Sequence, residues 1–502
     1  MKTPFICRSQ AAHRHHERGV TMVFVALAMV AIIAMAALSI DVITLYLAKQ
    51  EAQRSADSAA LAAAKVLSLS GITGDPNNST SNWGVICGPD DGTNGLATRT
   101  AKAVANQNAI AGGPVTTTPT VTYSSGGANF ADCTALSGTG FGVNPIVTVQ
   151  LTRGSLPTFF SRIWGNTSNT VSATATAEVF NPSNSGNSGN QITGTTVPVQ
   201  PRCVKPWVVP NQDPRHDTSG SVGNCTGGLG GNCAKIVNLA DGSIVTKGIS
   251  LNGTGNGGII GETFWLVPDC RFSNQSTCIL RLPSPKANAA ASAHIQGPPN
   301  LMYVPGQVGT PVTAVPSCTE SDPFEMAIEG CDAPTNYTCG LPPGNGGTNA
   351  VNLSRNPEDA TTDGVSCLIH QTAAGNISGS TGQDYLNPFM LPSSYPFQIL
   401  AGSSNPVVSA GLTRGSPIST SPSIVSLPIY DETDPGVTLA NGTSTNVTFV
   451  GFLQVFINVV DQFGNVNVTV LNVAGCGNGS GTPVGTPLVA NSPVPVRLIT
   501  PP

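Results

Sequence analysis

The run from Val20 to Ile40, VTMVFVALAMVAIIAMAALSI, holds 21 residues and no charged side chain. At ~1.5 Å per residue it makes about 31 Å of helix, which matches the hydrocarbon core of a bilayer. A secretory signal peptide has a shorter apolar core, ~7–15 residues, ending at a small-residue cleavage site. Here the apolar character runs on through Val42-Ile43-Thr44-Leu45-Tyr46-Leu47-Ala48. The sequence therefore predicts an uncleaved single-pass anchor over 19–48. Lys2, Arg8, Arg14 and Arg18 precede it. The positive-inside rule then keeps residues 1–18 cytoplasmic and exports everything after Ala48. Asp41 falls at the outer edge of the apolar slab, where water or headgroups can solvate it, and reads as a marker of the membrane exit.

The helix is predicted to continue as an alanine-rich periplasmic segment over 49–70. Ala48, Ala52, Ala56, Ala59 and Ala63 recur at spacings of four and three, which puts small side chains on one packing face. Lys49, Glu51, Gln53, Arg54 and Asp57 occupy other faces, and no breaker occurs before Gly71. Such a face suits the close approach of another helix or sheet, from a partner or from the chain's own domain.

The order of features here resembles the N-terminal segment of the Flp pilus-assembly (tight-adherence, Tad) proteins of the TadE/TadG-like group. The matching residues are Arg18-Gly19, the span from Val20, Asp41, Leu45-Tyr46, Gln50 or Gln53, and Ala56-Asp57-Ser58-Ala59-Ala60-Leu61-Ala62. The resemblance covers about a tenth of the chain and implies a structural, non-catalytic role in pilus assembly or tight adherence. Processed pilin-like members of such systems carry Glu five residues after a cleaved Gly; after Gly19 that place holds Phe24. The larger TadG-like members can also carry a von Willebrand factor A-like domain.

Residues 71–180 read as a small α/β domain. Ala97–Ile110 has a helical pattern, Val121–Tyr123 and Ile146–Arg153 read as strands, LPTFFSRIWG as a short helix, and TVSATATAEVF as an alternating strand. Asn181–Gln200 has no periodicity and reads as a linker. Residues 201–502 are turn-rich and mostly β, a sheet or sandwich with long loops; GFLQVFINVV and NVNVTVLNVAG, around Asp461-Gln462-Phe463-Gly464, form a predicted hairpin. The fold class expected is thus α+β: a transmembrane helix continuing into a long Ala-rich helix, a small α/β unit, then a β-rich, disulfide-containing exported domain. Only 10% of residues are charged, against a usual ~25%. The net charge is −5 with no long basic run, which argues against nucleic-acid binding.

Of 13 cysteines, Cys7 precedes the span and twelve follow it, an even number suited to an oxidising compartment. Cys87 and Cys133 can pair in the proximal unit. Cys225/Cys233, Cys270/Cys278 and Cys331/Cys339 share a separation of eight across turn-forming loops and read as local disulfides. The connectivity of Cys203, Cys318, Cys367 and Cys476 stays open. A zinc ribbon would need Cys-x₂-Cys pairs, and the sequence has none.

Asp217, Ser219 and Ser221 spell Asp-x-Ser-x-Ser, the first metal loop of von Willebrand factor A-like domains. The flanks VVPNQDPRH and VGNCTGGLGG lack the strand and helix which that loop needs, so these three are weak metal candidates and no metal or other cofactor is expected. In CTESDPFEMAIEGC, calcium competes with a short helix capped by Asp322 with Pro323 in its first turn, and the helix reads better. His13, His15 and His16 belong to the cytoplasmic flank. His216, His294 and His370 are scattered among loops without a partner suggested by spacing. No nucleophile elbow, zinc-protease or phosphate-loop motif occurs, so a non-enzyme with no small-molecule substrate is expected. The expected partners are the bilayer and other pilus-assembly or envelope proteins. The rival reading is a membrane-anchored surface adhesin or binding protein unconnected with pili, metal-assisted through the Asp217 loop.

Overall fold

The computed structural model describes residues 17–180 except 70–71, 75–82, 93, 126 and 143, then 199–221 and most of 232–246, 257–270, 300–309, 320–330, 349–372, 381–387, 399–434, 437–476 and 488–500, with single positions between. The expected cytoplasmic segment before Glu17, nearly all of the linker, Cys331 and His294 lie outside the described residues.

The chain divides into two compact units. One comprises 1–56, 105–119 and 150–174; the other comprises 57–104, 120–149 and 175–502. Helix α1, Glu17–Leu69, contributes to both. Its 53 residues contain neither proline nor an internal glycine beyond Gly19, so nothing interrupts the i→i−4 ladder. Further helices are α2 (Trp83–Cys87), α3 (Leu96–Gln107), α4 (Pro323–Glu329) and α5 (Glu358–Leu368). The strands are β1 (Thr120–Ser124), β2 (Ile146–Leu156), β3 (Asn169–Val179), β4 (Val199–Pro201), β5 (Trp207–Pro210), β6 (Thr263–Pro268) and β7 (Asn300–Pro305), followed by β8 (Ala350–Asn352), β9 (Tyr385–Leu386), β10 (Ile399–Leu400) and β11 (Pro417–Ile418). The last are β12 (Ile424–Tyr430), β13 (Ser444–Asn446), β14 (Phe449–Val460), β15 (Val466–Gly475), β16 (Leu488–Ala490) and β17 (Val496–Ile499).

In the first unit, α1 up to Ala56 lies with the later part of β2 and the earlier part of β3. Lys49 Nζ donates to the Ser172 carbonyl, and Gln53 Nε2 donates to the Thr174 carbonyl at 3.0 Å. Glu51 accepts the Ala111 amide at 2.7 Å. The segment LPTFFSRIWG is not the helix its sequence suggests. Only Ser161–Trp164 coil, as a single 3₁₀ turn closed by Gly165 at φ 85°.

In the second unit, β1, the start of β2, the end of β3 and β17 lie side by side in the order β1-β2-β3-β17. β17 runs antiparallel to β3 with Val496 opposite Val179, so residues near 500 complete the sheet of the proximal α/β segment. Phe141 packs edge to face with Trp83 of α2 and with Tyr123 of β1, at ring-centroid distances of 5.3 and 6.1 Å.

The β-rich part centres on a closed six-stranded barrel, β12-β14-β15-β6-β7-β5, rather than an open sheet or sandwich. The β14–β15 hairpin read from the sequence forms its spine, with Val460 opposite Val466. These strands are buried at almost every position, so both of their faces need cover, and an open sheet with one wet face cannot supply it. Register shifts at Gln454/Val455 and Ile457/Val459 curl the strand, and β5 closes the ring by running parallel to β12. The end of α1 is built into this unit: Leu69 packs with Leu386, Ile399, Phe456 and Leu471. Asn472 on β15 donates to the Ser68 carbonyl at 2.6 Å, and Ser68 Oγ donates to the Val494 carbonyl at 2.9 Å.

Candidate functional site

The first part of α1 presents a continuous apolar surface. Met22, Val23, Phe24, Leu27, Val30, Ile33 and Met35 are exposed, as are Leu38, Ile40, Val42, Ile43, Tyr46 and Leu47. This is far more exposed oil than a soluble chain tolerates, and it has the length of a membrane span. From Ala48 onward the character reverses. Ala48, Ala52, Ala56, Ala59 and Ala63 are all buried within the chain itself.

Asp41 stands where the two regimes meet. It is 4% exposed rather than solvated. Its Oδ1 accepts the Phe159 amide at 2.9 Å, and its Oδ2 accepts the Phe160 and Ser161 amides at 3.1 and 2.6 Å. Three consecutive N–H groups at the start of the 3₁₀ turn have no partner along the chain, and the carboxylate supplies one from the anchor helix. That accounts for the missing helix over LPTFFSRIWG: its first amides are held by Asp41, not by a preceding turn. Phe159 remains exposed beside this clamp.

Two family comparisons cover this part of the chain. Residues 19–66 match the Flp pilus-assembly TadE/G-like family, and residues 83–177 match the Tad-like Flp pilus-assembly family. The likeness to Tad pilus-assembly proteins thus rests on these two segments, which together cover less than a third of the chain. No curated protein and no solved structure matches it. The Tad matches end at 177, so the barrel and its loops are read from their own geometry.

Disulfides join Cys87–Cys133, Cys225–Cys233, Cys270–Cys278 and Cys318–Cys367, and Cys203 is also disulfide-bonded. The pairing of Cys331 with Cys339 expected from their spacing is corrected. Cys339 is bonded to Cys476, 137 residues away. Cys339 sits in a core cluster with Tyr337, Val447, Phe449 and Phe452, and the end of β15 delivers Cys476 against that cluster. A separation of eight permits a local loop, but tertiary packing decides which thiol arrives.

The acidic segment forms the capped helix α4: Asp322 accepts the Phe324 amide at 3.0 Å, with Pro323 in the first turn. Burial, aided by Glu320, Glu329 and Asp363, pushes the Glu325 carboxyl up to about 7. Lys205 lies behind this helix, donating to the Gly330 carbonyl at 2.6 Å. Burial lowers its pKa to about 7 against the opposing pull of Glu329.

The Asp217 loop closes on itself. Asp217 Oδ1 accepts from Ser219 N, Ser219 Oγ and Ser221 N at 2.9, 2.6 and 2.8 Å, and the Ser219 and Ser221 hydroxyls are 2.9 Å apart. The Ser219 hydroxyl bond first, then the Ser221 and Ser219 amide bonds and the charge of His216, lower the Asp217 pKa against the opposing effect of burial. The loop borders an open cleft of about 680 Å³ with Lys235, Asn238 and Val245.

One residue upstream lies a group that the spacing of the sequence did not reveal. His216 is not isolated: its Nδ1 is 2.9 Å from Asp213 Oδ2 and 2.9 Å from Glu262 Oε1. All three side chains are almost wholly buried. Burial alone would lower the His216 pKa, but the hydrogen bonds and charges of the two carboxylates raise it to about 10. Burial, and then the nearby Asp213 charge, push Glu262 well above the usual carboxylate range. Asp213 and His216 share a loop at i and i+3, whereas Glu262 arrives from the strand β6 side, so only the fold joins them.

Proposed function

We propose that this protein is an inner-membrane-anchored, non-catalytic structural component of pilus assembly or tight adherence. Its N-terminus is cytoplasmic, its single span is Val20–Ile40 with Leu47 at the outer margin, and the remaining chain is periplasmic or surface-facing. The observation that carries this reading is the reversal along α1. Its first part exposes oil on every side up to Ile33 and on most sides beyond, and its second part buries its alanine face within the chain, with Asp41 fixing the loop at the boundary. The even set of exported cysteines and the basic residues before the span support the orientation. The partners proposed are the bilayer and other pilus-assembly proteins, with no small-molecule substrate.

The test combines topology with output. Alkaline phosphatase fused after Pro502 is expected to be active, and the same reporter fused after Arg18 inactive. Asp41→Asn is expected to insert normally yet lower pilus yield several-fold, because the amide cannot accept three N–H groups with a full negative charge. A cytosolic C-terminus, or wild-type piliation in cells lacking the protein, would overturn the assignment.

A further inference from the structure

The buried group Asp213–His216–Glu262 is arranged like half of a coordination shell. Two carboxylate oxygens converge on one ring nitrogen at 2.9 Å each. A single Nδ1–H can point at only one of them, so the imidazole cannot serve both carboxyl groups. Glu262 Oε2 and His216 Nε2 have no hydrogen-bond partner among the described residues, although both side chains are buried almost completely. Arg215, the adjacent cation, does not resolve this: its guanidinium donates to the Thr263 carbonyl, at 3.0 Å from Nε. Leaving a carboxyl oxygen unpartnered in the interior is costly, and a bound metal ion relieves that cost.

We propose that Asp213, His216 and Glu262 bind one divalent first-row transition ion, of the Mn²⁺ or Zn²⁺ class. One imidazole with two carboxylates is a borderline-hard donor set suited to these ions. At metal–ligand bonds of about 2.1 Å, neighbouring ligand atoms in an octahedral shell stand about 3.0 Å apart, close to the N–O separations here. The three ligand atoms all lie within 4.8 Å of one another.

The surrounding backbone holds these side chains in place. Asp213 Oδ1 accepts the Arg215 and His216 amides at 2.9 and 3.3 Å, which turns Oδ2 toward the site. The Asp213 amide donates to the Ala234 carbonyl, and the Ala234 amide donates to the His216 carbonyl, both at 2.8 Å. Ala234 follows Cys233, so the Cys225–Cys233 bridge clamps the segment that sets the loop. On the other side, the Val470 amide of β15 donates to the Glu262 carbonyl and the Gly261 amide donates to the Val470 carbonyl, both at 2.8 Å. The site belongs to the barrel unit and stands independently of the pilus assignment.

The test uses the full chain in detergent, loaded with Mn²⁺ or Zn²⁺ alone, freed of loose metal by gel filtration and measured by elemental mass spectrometry. One equivalent per chain is expected. It should persist in a His13→Ala/His15→Ala/His16→Ala variant, which removes the N-terminal histidines, and be lost in Glu262→Gln. Chelation should lower the Tm of the wild type, and re-addition of the ion should restore it; Glu262→Gln should show neither change. Should Glu262→Gln fail to fold, Asp213→Asn serves in its place, and in either case the wild-type stoichiometry decides. No retained ion in the wild type, retention undiminished in the folded variant, or loss with the N-terminal histidines would overturn the proposal.

Discussion

Asn472 is the point at which the rod meets the barrel, and truncating it tests that joint. Its Nδ2 donates to the Ser68 carbonyl at 2.6 Å and lies 3.4 Å from Thr73 Oγ1, while its Oδ1 accepts the Val473 amide at 2.8 Å. Asn472 and Ser68 are fully buried. Asn472→Ala strands the Ser68 carbonyl in the interior, at about 1–3 kcal/mol, and loses the weaker Thr73 contact and some packing, at about 1 kcal/mol more. The expected loss is therefore about 2–4 kcal/mol, concentrated at the end of α1. At about 1.4 kcal/mol per tenfold, this corresponds to roughly 30- to 1,000-fold faster amide exchange over 66–69. Hydrogen exchange with mass spectrometry on the full chain in lipid nanodiscs reads it directly. Exchange within fivefold of wild type over 66–69, or an increase of equal size throughout the barrel, would refute the view that this side chain ties the helix down locally.

Lys205 gives a prediction in pH. Its pKa in the fold is about 7, below the ordinary 10.5, so between those values the unfolded chain holds a proton that the folded chain lacks. Stability should therefore rise with pH across that window, with the penalty complete below about 7 and on the order of 5 kcal/mol at most. Lys205→Met should raise urea stability by a few kcal/mol near pH 6.5 and confer little gain near pH 10; a gain independent of pH would contradict this. For the disulfide correction, Cys476→Ser should leave a free thiol at Cys339 in non-reduced digests and lower the Tm, with an entropic ceiling of about 5 kcal/mol for a loop of 137 residues. Cys331→Ser should leave the Cys339–Cys476 peptide intact.

What the sequence made legible follows the range of the interactions. Helix α1, the β14–β15 hairpin and the capped helix at Asp322 depend on neighbours within a few residues, and their patterns could be read directly. The barrel closes by pairing Ile429 with Val209, 220 positions apart, and no local pattern records that. Asp41 looked like a solvated exit marker because its three donors come from Phe159–Ser161, more than a hundred residues on. His216 looked solitary for the same reason, since Glu262 has no sequence relation to it. Cysteine spacing misled at Cys339, where the length of a loop says nothing about which core the sulfur enters.

The place of β17 has a consequence for biogenesis. Chains are made from the N-terminus, yet the neighbour that covers β3 lies at 496–499. Until those four residues emerge, the β3 flank is a bare ladder open to unwanted pairing. Nascent protein should thus need a chaperone for nearly the whole of its translation, and a nonsense mutation even a few codons before 496 should leave a product that proteases clear.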